Sequence, residues 1–254
     1  MSATSSHASL VMTVRGDELD RTGGIGAAQL LRYLESGRWQ ATMETNNAMT
    51  SLFTGGRKMV IREQRLRVHD VLTWGEEVTV QTWVARAGRT SLDFGHLMTR
   101  TRDKSRVCEA LLTAVQIDES GRPTPLPEDV RAETDPPELD PTLGALALPD
   151  ALLSAAWSWA QTIRPSQTDL FRHVNHSRYV DLFEDARWFM ERAQGLPGWQ
   201  PKRHLTAVAL EYRREAKAGD DVHVRLLNRD AQTLEALLVR GEEVLTRCVL
   251  QVGD

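Results

Sequence analysis

The spacing of apolar and polar residues predicts the same order of elements twice along the chain. Each half starts with a short apolar run typical of a strand, Leu10–Val14 in the first half and Ala160–Ile163 in the second. A segment with apolar residues at roughly helical spacing follows each run, which predicts one amphipathic helix per half. The apolar positions are Leu30, Leu31, Leu34 and Trp39 in the first helix, and Tyr179, Val180, Phe183, Trp188 and Phe189 in the second.

Strand-like runs follow each predicted helix. They are Met59–Val71, Glu77–Arg86, Ser91–Arg100 and Val107–Ile117 in the first half, and Leu205–Glu215, Asp221–Asn228, Thr233–Val239 and Glu243–Val252 in the second. Gly88 and Gly241 fit hairpin turns between them. A long helix followed by consecutive antiparallel strands, twice over, predicts an α+β fold in which each sheet wraps its own helix.

The two halves are related by an internal repeat. One register aligns Arg15 with Arg164, Asp20 with Asp169, Glu35 with Glu184, Arg38 with Arg187 and Trp39 with Trp188. A second register aligns Gly75–Val80 with Gly219–Val224. Duplication explains the shared residues structurally, so chemistry should be sought where the copies differ. We therefore interpret Glu184 and Arg187, three residues apart on one helix face, as structural.

A proline-rich segment separates the halves. Glu119–Pro149 contains seven of the ten prolines, and proline cannot donate to a sheet ladder. We predict an N-terminal domain at residues 1–120, a linker at 121–150 and a C-terminal domain at 151–254. Each domain is long enough to bury a core of its own.

Composition and charge narrow the class of protein. With 26% charged residues and a net charge of −4, the chain is typical of soluble globular proteins, and no basic run indicates nucleic-acid binding. No apolar run is long enough for a membrane span. The N-terminal MSATSSHASL is interpreted as a frayed tail rather than a signal peptide, so we expect a cytoplasmic protein. Cys108 and Cys248 lack metal-ligand spacing and are expected to be buried thiols, without a metal or a disulfide.

The two copies differ most in the turn before the helix. His173 and Asn175 of the second copy stand where the first copy has Gly24 and Gly26. Only the second copy therefore brings a carboxylate, Asp169, together with an imidazole and an amide at a helix N-terminus, where unpaired N–H groups suit a polarised carbonyl oxygen. Acyl transfer is the chemistry that this set favours. The alternative is structural: Asp169 as a turn-former, Asn175 as an N-cap and His173 as a hydrogen-bonded loop side chain.

Two sequence segments resemble a known family. D-x-x-x-H-V-N-x-x-x-Y, from Asp169 to Tyr179, is similar to the helix-opening turn of double hotdog thioesterases. Leu210–Glu215, LEYRRE, resembles a segment of plant and bacterial acyl-ACP thioesterases, as do Val80–Trp83 and Pro127–Glu133. The resemblance covers nearly the whole chain and implies two tandem hotdog domains that form an internal pseudo-dimer.

The resemblance also implies roles for residues. Asp169, His173 and Glu215 match the family's catalytic Asp, His and Glu, while Asn175, Phe171 and Val174 are expected to contact substrate. Phe171 stands at the position of the family's catalytic Asn, which removes an amide from the predicted mechanism. Ala216 replaces the family's Cys after the Glu.

The function implied by the resemblance is hydrolysis of an acyl thioester. The substrate is expected to be carried by acyl carrier protein or coenzyme A, with no cofactor, nucleic acid or membrane involved, and with the chain as a monomer or a homodimer. The N-terminal domain is expected to shape the acyl pocket. A non-hydrolytic hotdog enzyme, such as a dehydratase or cyclase, and a non-catalytic acyl-binding module remain alternatives.

Overall fold

The computed structural model describes residues 8–44, 52, 56–130, 132, 135–144, 146–149, 156–196 and 204–253. In these ranges the first half forms β1 (Ala8–Thr13), α1 (Ala27–Glu44), β2 (Lys58–Val68), β3 (Glu77–Ala87), β4 (Ser91–Arg100) and β5 (Arg106–Ile117). The second half forms β6 (Trp157–Thr162), α2 (Arg178–Ala193), β7 (Leu205–Tyr212), β8 (Asp221–Asn228), β9 (Thr233–Arg240) and β10 (Glu243–Val252). The predicted order of elements is confirmed in both halves.

The strands form one antiparallel sheet in the order β1-β3-β4-β5-β2-β7-β10-β9-β8-β6. The order within the second half is the mirror of that in the first, as expected for a duplicated unit. β2 and β7 pair directly, from Glu63 opposite Glu211 to Arg67 opposite Ala207. The halves are therefore joined edge to edge by backbone hydrogen bonds, a contact that the sequence pattern does not reveal.

Each helix buries an apolar face against the sheet. Leu30, Leu31 and Leu34 of α1 are buried, as are Tyr179, Val180 and Phe183 of α2. Burial of each such side chain contributes about 1.5–3 kcal/mol. Gly37 allows α1 to approach β3 closely, because a Cβ there would lie 2.7 Å from the Val80 Cγ1 atom. The core of the molecule thus lies between the sheet and the helices.

Two helix residues that the apolar spacing predicts to be buried are instead exposed. Trp39 and Phe189 are 39% and 42% exposed, because both lie at the margin of the buried helix face rather than within it. Phe189 instead stacks on the ring of Trp159, with the centroids 5.0 Å apart. The helices therefore bury narrower faces than the apolar spacing predicts.

Strand ends also differ from the predicted runs. β7 ends at Tyr212, so Glu215 lies beyond the strand rather than on it. The N–H groups of Arg213 and Arg214 both donate to the carbonyl oxygen of Leu245, which interrupts the ladder. β2 likewise ends at Val68, three residues before the predicted end. The segment after β7 is free to turn toward the start of α2.

Several smaller predictions concern local features. Cys108 and Cys248 are buried free thiols, as expected, and burial raises the pKa of both. Gly241 occupies the turn between β9 and β10 with a φ of 60°. Residues 1–7 of the predicted N-terminal tail lie outside the described residues. In the part of the chain that is described, neither helix has the length and apolar character needed to cross a bilayer.

Candidate active site

The turn before α2 is organised by the carboxylate of Asp169. Its Oδ1 atom accepts a hydrogen bond from the N–H of Phe171 at 2.9 Å, and its own N–H donates to the carbonyl oxygen of His173 at 2.9 Å. Arg172 adopts a φ of 65°, which closes the turn. Asp residues favour this geometry because the side chain bonds the backbone two residues on. The turn-forming role considered for Asp169 is therefore present, and the Oδ2 atom has no hydrogen bond among the described residues.

The first copy forms the same turn. The Oδ1 atom of Asp20 accepts from the N–H of Thr22 at 2.7 Å, two residues on, just as Asp169 does in the second copy. The turn by itself therefore does not distinguish the copies. The side chains around it do.

His173 and Glu215 form an ion pair beside this turn. The N–H of Val174 donates to the carbonyl oxygen of Ala216 at 2.8 Å, which aligns the two segments. The two side chains are 41% and 49% exposed, so the pair opens directly to solvent. Lys217 lies 3.4 Å from the second carboxylate oxygen of Glu215. A histidine with an orienting carboxylate and access to solvent has the geometry of a general base.

The remaining predicted residues divide into exposed and buried groups. Phe171 is 42% exposed at the tip of the turn, whereas Val174 is buried below it. The carboxylate of Asp169 forms no hydrogen bond with the His173 ring in the described part of the chain, and the turn backbone is what links the two residues. The structure therefore pairs His173 with Glu215 and places Asp169 alongside them.

Asn175 is not the N-cap of α2, because Ser177 occupies that position. The Oδ1 atom of Asn175 accepts from the N–H and the hydroxyl of Ser177, at 3.0 and 2.8 Å. Its Nδ2 atom donates to both carboxylate oxygens of Glu35, each at 3.2 Å. Asn175 therefore ties the start of α2 to a carboxylate of α1 in the other half.

Most backbone N–H groups at this helix end are already engaged. Those of Val174, Asn175, Ser177, Arg178 and Val180 all have acceptors. The N–H of His176 has none among the described residues. The N–H of His176 is therefore available to bind a carbonyl oxygen at the positive end of the helix dipole, as is the N–H of Tyr179, which also has no acceptor among the described residues.

A buried polar cluster adjoins Asn175. The guanidinium of Arg38 contacts the Nε2 atoms of His176 and His96, at 2.9 and 3.5 Å. A guanidinium only donates, so both Nε2 atoms accept and both rings carry their proton on Nδ1. These protons are donated to the Oε1 atom of Gln64 and the hydroxyl of Thr82, each at 3.0 Å. Burial, with the charge of Arg38 adding to it, lowers the pKa of both imidazoles, although the Glu35 carboxylate 3.5 Å from His176 opposes the shift of that ring.

The pKa values of the repeat partners Glu35 and Glu184 are shifted in opposite directions. Burial alone raises a carboxyl pKa, but the charge of Arg38 and the hydrogen bonds donated by Asn175 lower that of Glu35. Burial raises the pKa of Glu184 despite its contact with Arg187 at 3.1 Å, and the charge of Asp20 adds to the rise. At the same position of the repeat, the surroundings thus favour the ionised carboxylate in one copy and disfavour it in the other.

The sequence contains one signal for the buried cluster, although no motif marks it. Arg38 is four residues after Leu34 and seven after Leu31, so it lies on the apolar face of α1. A charged residue on such a face requires polar partners from the elements packed against it. Those partners, His96 and His176, are far apart in sequence and could not be assigned from it.

The corresponding region of the first copy is a cleft lined by Asp20, Gly26, Glu184, Arg187 and His204, among others. Gly26 lies where Asn175 stands in the second copy, and a Cβ there would be 2.9 Å from the Asp20 Oδ2 atom. The first copy therefore has carboxylates at its helix N-terminus, but Gly24 and Gly26 stand at the repeat positions of His173 and Asn175.

Comparison with known proteins gives consistent matches. The family model described as the thioesterase-like superfamily matches residues 14–134 and 163–240. A chloroplastic acyl-[acyl-carrier-protein] hydrolase of Cuphea viscosissima is 27% identical over 163 residues, 61% of this chain and 38% of the relative. A palmitoyl-acyl carrier protein thioesterase of Gossypium hirsutum is 29% identical over 166 residues, with the same shares. The match thus spans about two fifths of the length of these curated relatives.

Solved structures extend the similarity to the whole fold. A 12:0-ACP thioesterase from Umbellularia californica superposes with a TM-score of 0.79 at 16% identity, covering 97% of both chains. An acyl-ACP thioesterase from Bacteroides thetaiotaomicron gives a TM-score of 0.80 at 15% identity, covering 99% of this chain and 100% of the other. The predicted double hotdog architecture is confirmed.

Proposed function

Because the chain belongs to the thioesterase-like superfamily, we propose that it hydrolyses an acyl thioester to a free acid and a thiol. The observation that carries the proposal is the His173–Glu215 pair, which lies beside the turn that opens α2 and faces solvent. The N–H of His176, which has no acceptor among the described residues, supplies a hydrogen-bond donor for a carbonyl oxygen at the same helix end. The first copy lacks the histidine, so we assign one working site to each chain.

In the proposed reaction, Glu215 orients the imidazole of His173, which removes a proton from water. The water oxygen attacks the thioester carbonyl carbon, and the developing oxyanion accepts a hydrogen bond from the N–H of His176. The C–S bond then breaks, and the thiolate receives the proton from His173. The free Oδ2 atom of Asp169 holds the attacking water. General base action contributes about 10²–10⁴ in rate and an oxyanion donor about 10²–10³.

Glu35 and Asn175 are assigned positioning roles. Their hydrogen bonds fix the first turn of α2 and thereby the direction of the His176 N–H. Since Glu35 belongs to α1, the first half contributes to the site even though it lacks the histidine. We assign Phe171 and Val174 to the walls of the entrance to the acyl pocket. The first half, apart from Glu35, is assigned to shaping that pocket.

The acyl carrier is proposed to be acyl carrier protein in preference to coenzyme A. The similarity to acyl-ACP hydrolases and palmitoyl-ACP thioesterases of plants supports this choice. Incubation with a panel of acyl-ACP substrates, following free thiol and acyl mass, tests the proposal. Thiol release supports hydrolysis; a changed acyl mass without release indicates a dehydratase or cyclase; unaltered bound substrate indicates a binding module.

A further inference from the structure

The exposed side chains around the His173–Glu215 pair include both apolar and basic residues. Leu170 is 75% exposed and Phe171 42%, and they are adjacent at the tip of the turn. The basic members are Arg172 on the same turn and Arg213, Arg214 and Lys217 on the segment after β7. The Val174–Ala216 hydrogen bond and the His173–Glu215 ion pair hold these two segments side by side. We call Leu170, Arg172, Arg213, Arg214 and Lys217 the entrance patch.

Two of the four cations of the entrance patch lack a carboxylate partner. Arg214 pairs with Glu243 at 3.4 Å, and Lys217 pairs with Glu215 at 3.4 Å. Arg172 and Arg213 form no ion pair with any described residue. The chain as a whole carries a net charge of −4, so this positive region stands out from a surface that on average repels acidic proteins. A positively charged region on a surface of net negative charge orients an acidic partner as it approaches.

We propose that the entrance patch is the docking surface for an acidic acyl carrier protein, with Arg172 and Arg213 as its electrostatic contacts and Leu170 as its apolar contact. The inference rests on the proposed function, because the patch surrounds the pair to which hydrolysis is assigned. A protein that delivers an acyl group to this exposed pair must lie over the side chains of the two segments that carry it. The arginines alone also suit the phosphates of coenzyme A. The exposed leucine favours a protein, because protein interfaces combine apolar contacts with a polar rim.

The test compares one acyl group on three carriers: acyl carrier protein, coenzyme A and pantetheine. The double variant Arg172→Glu/Arg213→Glu should raise KM for acyl-ACP about tenfold or more and leave kcat/KM for acyl-pantetheine within about twofold. Leu170→Ser should raise KM for acyl-ACP about threefold. Increasing salt should raise the wild-type KM for acyl-ACP but not for acyl-pantetheine, because only the former depends on long-range charge attraction.

Matched controls come from elsewhere on the surface. Arg102→Glu removes a similarly exposed guanidinium on the turn between β4 and β5, and Trp74→Ser removes an apolar side chain that is 74% exposed. Neither should change KM for acyl-ACP. The docking proposal is overturned if the patch variants change all three substrates equally, or if they impair acyl-CoA as strongly as acyl-ACP.

Failure of the proposed function gives a different result. If the wild-type protein hydrolyses none of the three thioesters, the hydrolytic proposal fails, and docking is then tested by direct binding of acyl-ACP to immobilised protein. Weaker binding by the Arg172→Glu/Arg213→Glu variant, with unchanged binding by Arg102→Glu, supports the patch. Equal binding by wild type and both variants overturns it.

Discussion

The carboxylate of Glu35 lies 3.2 Å from the side-chain nitrogen of Asn175, although the two residues are 140 positions apart and belong to different halves of the chain. This contact connects the middle of α1 to the start of α2. The same carboxylate balances the charge of Arg38, whose guanidinium is buried between two imidazoles. Glu35 therefore supports both the local geometry of the proposed site and the stability of the interface between halves.

Replacing Glu35 with Gln should destabilise the protein more than the same change at Glu184. Glu35→Gln preserves the shape of the side chain but leaves the buried Arg38 without its counter-charge. We expect the free energy of unfolding to fall by about 2–3 kcal/mol. This is below the range for fully buried ion pairs, because Glu35 is 23% exposed. Glu184→Gln should cost less, since burial already disfavours its ionised form. Urea unfolding at pH 7 measures both losses, and equal losses would contradict the opposite directions of the two pKa shifts.

Stability should fall as the pH drops below about 6.5. The buried rings of His96 and His176 have a pKa below the ordinary value of 6.5, so the unfolded chain binds more protons than the folded one in this range. Unfolding is therefore favoured as pH falls from about 6.5 toward the folded-state pKa. The midpoint of thermal unfolding, recorded from pH 8 to pH 5, should decrease.

Two histidine variants identify the groups that cause the pH dependence of stability. His96→Gln should make the thermal unfolding midpoint less dependent on pH below 6.5, because one of the two buried neutral rings is removed. His223→Gln replaces an exposed histidine and should leave the slope unchanged. A profile that both variants leave identical to wild type would place the titrating groups elsewhere.

Asp169→Asn should reduce hydrolysis at least about 100-fold, whereas Asp20→Asn should have a much smaller effect. Asn retains the Oδ1 acceptor, so each variant keeps its turn hydrogen bond to the backbone two residues on. The change therefore removes charge without removing the turn. Steady-state kinetics with the two folded variants measures the asymmetry. Comparable losses would indicate two working sites per chain.

His173→Ala should also lower kcat at least about 100-fold, because it removes the proposed base. Glu215→Gln should lower activity less, since the amide still contacts the ring and only the orienting charge is lost. Circular dichroism confirms the fold of each variant before the kinetic comparison. Wild-type turnover by His173→Ala would exclude this residue as the base.

Phe171→Asn tests whether the aromatic ring limits ordinary thioester chemistry or contacts the substrate. If the ring replaces a useful amide, the variant should hydrolyse simple fatty acyl thioesters faster. If the ring lines the entrance, KM for the preferred substrate should rise. Measurement of kcat and KM on both substrates separates the two roles, and no change in either parameter would leave this position without a functional part.

Local patterns could predict much of the fold. Strand alternation and helical spacing depend on neighbouring residues, so the run Asp221–Asn228 and the buried positions of Leu31 and Phe183 are predictable from the sequence. Trp39 could not be placed correctly, because exposure at the edge of a helix face depends on how far the neighbouring strands extend. The ladder between β2 and β7 depends on how the two halves approach each other.

The candidate site, like the fold, has one part that the sequence predicts and one part that it does not. The His173–Glu215 pair follows from sequence resemblance, since both residues match motif positions. The cluster of Arg38, His96 and His176 has no short motif, because its members come from α1, β4 and the turn before α2. Such contacts are set by tertiary packing, and only the polar residue on the apolar face of α1 indicates that partners are needed.

The pairing of β2 with β7 has a consequence for how the molecule comes apart. Each strand would be an open sheet edge if the halves separated, and open edges with unpaired backbone groups readily associate with other chains. Either half produced alone would therefore expose a self-associating surface and lose the cross-half support of α2. We expect the native chain to denature as one cooperative unit, with a single calorimetric transition in place of two successive ones. We therefore expect that neither of the duplicated halves folds stably without the other.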